Sequence, residues 1–318
     1  MLHFSRVDYS TASRNVHGIT GHSKCRSAQM NNNHKTLVSI LVVLLIATAV
    51  SLAGSQGGIR THGIPLFLLC AGLAFTVQWV MFVPAYLFQT EKYYDLTGSL
   101  TYISVALIAQ AHSTQPAGKL IAALVCIWAL RLGSFLFLRI RRDGKDTRFD
   151  RIRGNPLRFL LTWTLQGLWV VMTFAAGLAA ITSGKEHGIN LWTLAGTGLW
   201  MLGFGIEVIA DEQKRRFRAR PENRDRFITS GLWGYSRHPN YFGEILLWTG
   251  IAVIAVPALS GWQYLTLISP LFVFLLLTRV SGVSMLEAGG KKRWGDDPAY
   301  RTYVERTPVL VPGIKKGR

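Results

Sequence analysis

The chain has 318 residues, 49% of them hydrophobic and 16% charged, and the apolar residues lie in long blocks. That pattern argues against a pair of soluble cores and describes a membrane protein that crosses the bilayer repeatedly. The net charge of +18 would suit nucleic acid, but the Lys and Arg cluster in alternate loops between apolar runs, as loops that set membrane orientation do.

Residues 1–34 are polar and aperiodic and are expected to be disordered. Met30 would be a credible start of a membrane protein by itself. Thr36 to Ala53 is close to spanning length and is expected as an uncleaved first helix. The competing reading is a signal peptide with Ser51-Leu-Ala53 as its cleavage site. Further spans are expected at Pro65–Gln89, Leu96–Ala111, Ala117–Ile140, Phe159–Ile181, Leu191–Ala210, Ile245–Leu259 and Tyr264–Val280. Pro84 predicts a kink in the second of these. Asp211 to Arg226 is too charged for lipid and reads as the sixth helix emerging into water. Residues 35–318 form a single domain in this reading, and no repeat or low-complexity tract interrupts it.

Eight spans would place both termini on one side. Of the 35 Lys and Arg, Arg131 lies within a span, 31 fall on that side, and only Arg60, Lys119 and Lys185 fall on the other. The positive-inside rule then makes both termini cytoplasmic. Cys25, Cys70 and Cys126 are too few and too scattered for a disulfide framework, a zinc site or a redox pair, and no metal site is expected.

One stretch concentrates polar groups where a helix enters lipid: Phe227-Ile-Thr-Ser-Gly-Leu-Trp-Gly-Tyr-Ser-Arg-His-Pro-Asn-Tyr-Phe-Gly-Glu244. His238 is pushed toward extended backbone by Pro239, which suits the first position of a helix. Asn240, Tyr241 and Glu244 then fall at helical spacing behind Arg237 and His238. Ionisable groups at that depth are expensive and point to function. A second stripe, Glu207, Asp211, Arg215 and Arg218, lies on one helix face. Its acids suit ribose or amide groups and its arginines suit phosphates. A salt-bridge ladder on a solvated helix explains Arg215 and Arg218 equally well. Asp95 and Arg131 border or interrupt apolar runs and are expected to pair, because an unpaired charge there is costly. Tyr93 and Tyr94 are either an interfacial belt or proton donors. Gln89, Gln166 and Arg148 are weaker candidates. No soluble-type nucleotide loop or hydrolase motif is present.

The Arg-His-Pro-Asn-Tyr-Phe-Gly-Glu stretch resembles the signature of the integral-membrane sterol reductases and the steroid 5α-reductase group, closest to its uncharacterised bacterial branch. Asp95-Leu-Thr-Gly-Ser-Leu, Trp128-Ala-Leu-Arg-Leu-Gly, Arg148-Phe-Asp, Glu207-Val-Ile-Ala-Asp-Glu-Gln-Lys and Ser281-Gly-Val-Ser-Met-Leu-Glu287 extend the likeness over roughly residues 67–312. The resemblance implies an all-α polytopic integral membrane protein of seven to ten transmembrane helices. Its cofactor cavity would face the cytoplasm, in a bacterial inner membrane. It also implies NADPH as cofactor, held by residues 200–312. The cofactor residues would be Glu207, Asp211, Arg215, Arg218, Arg237, His238, Asn240, Tyr241 and Glu244, with Arg279 and Glu287 on a segment that closes over it. It places Asp95 and Arg131 near the substrate and nicotinamide end, and Tyr94, beside Asp95, is the catalytic proton donor expected with them. The implied reaction is reduction of an activated C=C bond, enone-type, in a lipophilic, steroid-like or isoprenoid substrate. The expected partners are that small molecule and membrane lipid, with no nucleic acid and the oligomeric state open. Membrane methyltransferases that use S-adenosylmethionine share the Arg-His-Pro-x-Tyr element, so they are the alternative, with a non-catalytic lipid-binding protein as a third reading.

Overall fold

The structure, a computed structural model, describes residues 20–313 except 145, 147 and 148, with side chains from residue 32 on apart from residue 143. The described residues are predominantly helical. Strand is confined to a hairpin, β1 (Arg60–Thr61) and β2 (Ile64–Pro65), whose turn residues His62 and Gly63 both have positive φ. That is the backbone that a two-residue hairpin turn requires. The chain forms two compact units, one running through His187 with Ala258–Thr266, the other made of Gly188–Pro257 and Leu267 onward.

The first unit holds α1 (Thr20–Gly54), α2 (Leu66–Leu87), α3 (Tyr94–Ala111), α4 (Pro116–Asp143) and α5 (Pro156–Ile181). α5 is apolar on all sides, so it is buried, and it packs against the other four. Its start is well specified: Asn155 caps the Arg158 N–H at 3.1 Å, and Pro156 takes the first turn. α1 begins at Thr20, well before the expected Thr36. Part of the stretch expected to be disordered is therefore helical, because extending an existing helix costs little once the apolar run has nucleated it. Residues 1–19 of that stretch lie outside the described residues.

The second unit holds α6 (Leu191–Ala219), α7 (Pro239–Ala255), α8 (Ser269–Leu275), α9 (Val283–Trp294) and α10 (Pro298–Arg306). The expected Tyr264–Val280 span is not one α-helix. It is a 3-10 segment (Gly261–Ile268), then α8, then a π turn (Leu276–Val280). Pro270 explains the break: it has no N–H to continue a preceding helix and instead occupies the first turn of α8. α6 and α7 lie with their backbones in contact. A Cβ built on Gly203 would fall 2.5 Å from Leu247 N, and one on Gly243 would fall 2.5 Å from Gly203 O. Gly196 and Gly250 repeat the arrangement seven residues away on each helix, again at 2.5 Å. Small residues permit such approach between helices in lipid.

The protein is an all-α polytopic integral membrane protein. Among the described residues, 7 helices are long and apolar enough to cross a membrane. α3, the third expected span, is not one of them, because Thr, Ser and Tyr lower its apolarity. Those groups are satisfied internally. Thr97 and Thr101 donate to carbonyls one turn back at 2.8 and 2.7 Å, and Gln78 of α2 donates to Thr101 at 2.8 Å.

Candidate functional site

The signature stretch begins with a tight turn at Gly231, whose φ of +61° and contact with Gln213 leave no room for a side chain. Gln213 accepts from the Leu232 N–H at 2.9 Å, and the Trp233 indole donates to the Ala210 carbonyl at 2.9 Å. Lys214 sits 4.4 Å above the Trp233 ring. These contacts pin the turn to α6. α7 then starts at Pro239 as the sequence predicts, but His238 in front of it has φ −139° and ψ 59°, short of the extended backbone expected.

The turn delivers Arg237 and His238 to one carboxylate. Arg237 Nη1 lies 2.6 Å from one oxygen of Glu287, and His238 Nε2 lies 2.8 Å from the other. Glu287 comes from α9, which follows Gly282. Gly282 has a φ of +66°, and a Cβ there would lie 2.9 Å from the Tyr241 ring. Tyr241 stacks on His238 with centroids 5.7 Å apart and planes 7° from parallel. Because Nε2 faces a carboxylate, it carries the proton. His238 Nδ1 and Arg237 Nε are buried and have no hydrogen-bond partner among the described residues. Buried polar atoms left so are rare and call for a ligand or water.

The glycine contacts set the second layer. Gly243 rests on the Glu207 backbone, so Glu207 of α6 adjoins the turn of α7 that carries Glu244. Glu207 is 3% exposed and Asp211 9% exposed. Asn240 donates to Asp211 at 3.2 Å. The structure thus brings together Asp211 with Asn240, and Arg237, His238 and Tyr241 with Glu287. Glu244 is half-buried one turn further along α7. Arg215 and Arg218 are exposed at the α6 end. Arg215 is held by both oxygens of Glu212, at 2.6 and 2.7 Å, as in the salt-bridge reading, and Arg216 shares that carboxylate. Arg279 is exposed in the π turn.

The three catalytic candidates belong to the other unit. Tyr94 is buried, not at an interface. Its hydroxyl donates to the Thr162 carbonyl at 3.0 Å, and its ring meets Phe149 and Trp163 edge-on at 5.0 and 5.1 Å. Asp95 has Arg139 at 3.8 Å, about two turns further along α4 than Arg131. Arg131 places its guanidinium 5.3 Å from the Phe135 ring. An apolar pocket of about 270 Å³ opens near Tyr94, lined by Met81, Pro84, Ala85, Phe88, Tyr93 and Trp163, the last in ring contact with Tyr94. Of the weaker candidates, Gln166 is buried and donates to the Tyr94 carbonyl at 3.1 Å, and Gln89 adopts a φ of +47°. Arg148 lies outside the described residues.

Two features escaped the sequence reading. Glu91 has a fully buried carboxylate, bound by Arg153 at 2.6 Å and by the Asp146 N–H at 3.0 Å. Arg153 also donates to the carbonyl of the strained Gln89 at 3.2 Å. Ser236 and Tyr303 are the others, binding the signature turn to the C-terminal segment. Their partners lie 50 or more residues away, and no local spacing marks them.

The chain is similar to an uncharacterized protein of Schizosaccharomyces pombe, 24% identical over 61% of this chain and 63% of the relative. It is similar to the 3-oxo-5-alpha-steroid 4-dehydrogenase 1 of Rattus norvegicus, 33% identical over 51% of this chain and 59% of the relative. The Bos taurus enzyme of that name is 34% identical over a shorter stretch, 22% of this chain and 27% of the relative. The chain spans less than two thirds of the length of these relatives. No solved structure matches it. A family model described as a protein of unknown function, DUF1295, matches residues 81–307, from the last turns of α2 through α10 with the signature included, and the chain belongs to that family.

Proposed function

We propose that this protein is an NADPH-dependent reductase of an activated C=C bond in a lipophilic, steroid-like or isoprenoid substrate. The observation that carries the reading is the pairing of Arg237 and His238 on Glu287, with Arg237 Nε and His238 Nδ1 buried and unpartnered. Those two atoms fit a phosphorylated ribose. Arg237 Nε donates to a phosphate oxygen, while His238 Nδ1 accepts from a hydroxyl when neutral and donates to phosphate when charged. Asn240 with Asp211, Glu207 and Glu244 offers further groups for ribose hydroxyls and a carboxamide. When bound, NADPH supplies the hydride that adds to the β-carbon of the enone.

The relatives' name places their chemistry at the bond beside a 3-oxo group of a steroid. The pocket bounded by Trp163 and Phe88 suits the apolar body of such a molecule. In this reading the Arg131 guanidinium polarises the conjugated carbonyl by donating to the oxygen on which negative charge develops, and Asp95 does so only as the protonated acid. Tyr93 lines the pocket and is half exposed, whereas the Tyr94 hydroxyl is engaged by Thr162, so Tyr93 is the better placed proton donor. Both termini are proposed to be cytoplasmic on the charge asymmetry.

The test is titration of detergent-purified protein with NADPH, NADH and S-adenosylmethionine, followed by turnover with a 3-oxo-4-ene steroid. The expected result is tighter binding of NADPH than NADH, and its loss in Arg237→Ala. Equal affinities would remove the 2′-phosphate from Arg237, and binding of S-adenosylmethionine alone would replace the reductase reading with methyl transfer.

A further inference from the structure

After α10 the chain turns back and runs along the signature turn. The Arg237 N–H donates to the Pro308 carbonyl at 2.9 Å, and the Gly313 N–H donates to the Tyr235 carbonyl at 3.1 Å. Between them the Ser236 hydroxyl donates to the Leu310 carbonyl at 2.7 Å. The same Ser236 oxygen accepts from the His238 N–H at 3.2 Å. Ser236 is fully buried, so water does not compete for either bond. One hydroxyl therefore connects the C-terminal segment to the backbone of His238.

The segment is held by these bonds more than by burial. Val311 is 61% exposed and Val309 39%. Segments with few buried apolar contacts open at low free energy, well below global unfolding. α10 anchors the near end, through the Tyr303 hydroxyl on the Trp233 carbonyl at 2.8 Å and the packing of Phe227 between Tyr300 and Tyr303. The far end, from Thr307 on, is the detachable part.

We propose that Thr307–Gly313 is a strap and Ser236 a positioning residue. Together they hold the Arg237 and His238 backbones so that both side chains meet Glu287 and leave Arg237 Nε and His238 Nδ1 for a ligand. The proposal rests on the reading of those two residues as the holders of the cofactor's phosphate and ribose. Linkage then makes the coupling reciprocal: the bound nucleotide holds the strap down, and loss of the strap's bonds weakens the nucleotide by the same factor.

Two measurements on the full chain test it. The first is the rate at which carboxypeptidase removes residues 307–313, with and without saturating NADPH. The second is the NADPH affinity of Ser236→Ala beside its melting temperature. Saturating NADPH should slow digestion about ten-fold. Ser236→Ala should weaken NADPH about ten-fold, the worth of one net hydrogen bond at the upper end, and lose most of that protection. A purely structural serine would lower the melting temperature without touching affinity in the folded fraction. Unchanged affinity in Ser236→Ala, or digestion indifferent to NADPH in a wild-type chain that binds it, overturns the strap alone. Failure of the wild-type chain to bind NADPH overturns the strap and the cofactor reading together.

Discussion

The Arg237–Glu287 region and the Glu91–Arg153 region contain the same interaction, an arginine on a glutamate at 2.6 Å, and differ in what surrounds it. Around Glu91 the carboxylate is saturated. It has a guanidinium on one oxygen and a backbone N–H on the other, and Arg153 also donates to Gln89 and Asp150. Around Glu287 the arginine and histidine each keep one buried nitrogen unpartnered. The first arrangement fastens a strained connection between helices, and the second leaves two buried nitrogens for the ligand we propose. Charge and burial alone do not separate a structural ion pair from a binding site; the count of unsatisfied donors and acceptors does.

The largest effect should come from breaking the saturated pair. Arg153→Ala leaves the buried Glu91 carboxylate without its counter-ion, which costs about 3 kcal/mol, the lower end for such pairs because Arg153 is itself partly exposed. It also frees Gln89 from its φ of +47°, so the wall of the apolar pocket formed by Phe88 and Tyr93 should loosen. Thermal unfolding in detergent checks the first effect, and quenching of tryptophan fluorescence by a lipophilic ketone checks the second. A melting temperature within a degree of wild type would show the pair to be dispensable.

A somewhat smaller effect separates two glycines of the other region. Gly243→Ala places a methyl against the Gly203 carbonyl and should cost about 1–3 kcal/mol, the usual range for overpacking. Gly205→Ala meets nothing within 4 Å and should be neutral or stabilise α6 by up to about 1 kcal/mol. Opposite signs in a melting assay support the backbone contact of α6 with α7, and equal shifts would refute it. Glu244→Gln, in the turn that this contact brings beside Glu207, should weaken NADPH about ten- to a hundred-fold if the carboxylate accepts a charge-assisted hydrogen bond from it. A lowered melting point with unchanged affinity would assign Glu244 a structural role instead.

Sequence made the second region legible and left the first obscure, for a physical reason. His238, Asn240, Tyr241 and Glu244 are ordered by one helix start, and Pro239 and the glycines announce it at a distance of a few residues. Arg215 fell between two readings, because its partner Glu212 is also local and ladders are common. Glu91 and Arg153 lie 62 residues apart, and neither helix periodicity nor a breaker residue connects them. The same limit hid Arg139 beside Asp95, since only the register of α3 on α4 brings the two within 3.8 Å. The helix count was legible wherever apolarity is continuous. It blurred at α3, whose polarity is hidden by internal hydrogen bonds, and at Pro270, which divides a run that hydropathy joins.

The smallest effect concerns the hinge between the signature and the strap. Burial raises the Tyr303 phenol above the ordinary tyrosine value, with the nearby Glu287 adding to the shift and Arg237 opposing it. The phenol therefore stays a donor to the Trp233 carbonyl throughout the neutral range. Tyr303→Phe removes one partly buried hydrogen bond and should cost about 1 kcal/mol near pH 7. The sign of its pH dependence follows from the direction of the shift. An acid whose folded pKa is raised contributes its full stability below the unfolded value, about 10 for tyrosine, and loses it as pH rises through the folded value. The wild type should thus lose stability above about pH 10 faster than Tyr303→Phe, which has no phenol to ionise there, and the gap between their melting temperatures should narrow. Parallel curves up to pH 11 would mean that the phenol titrates alike in the folded and unfolded chains. In that case α10 would have to grip Trp233 through its ring contacts alone.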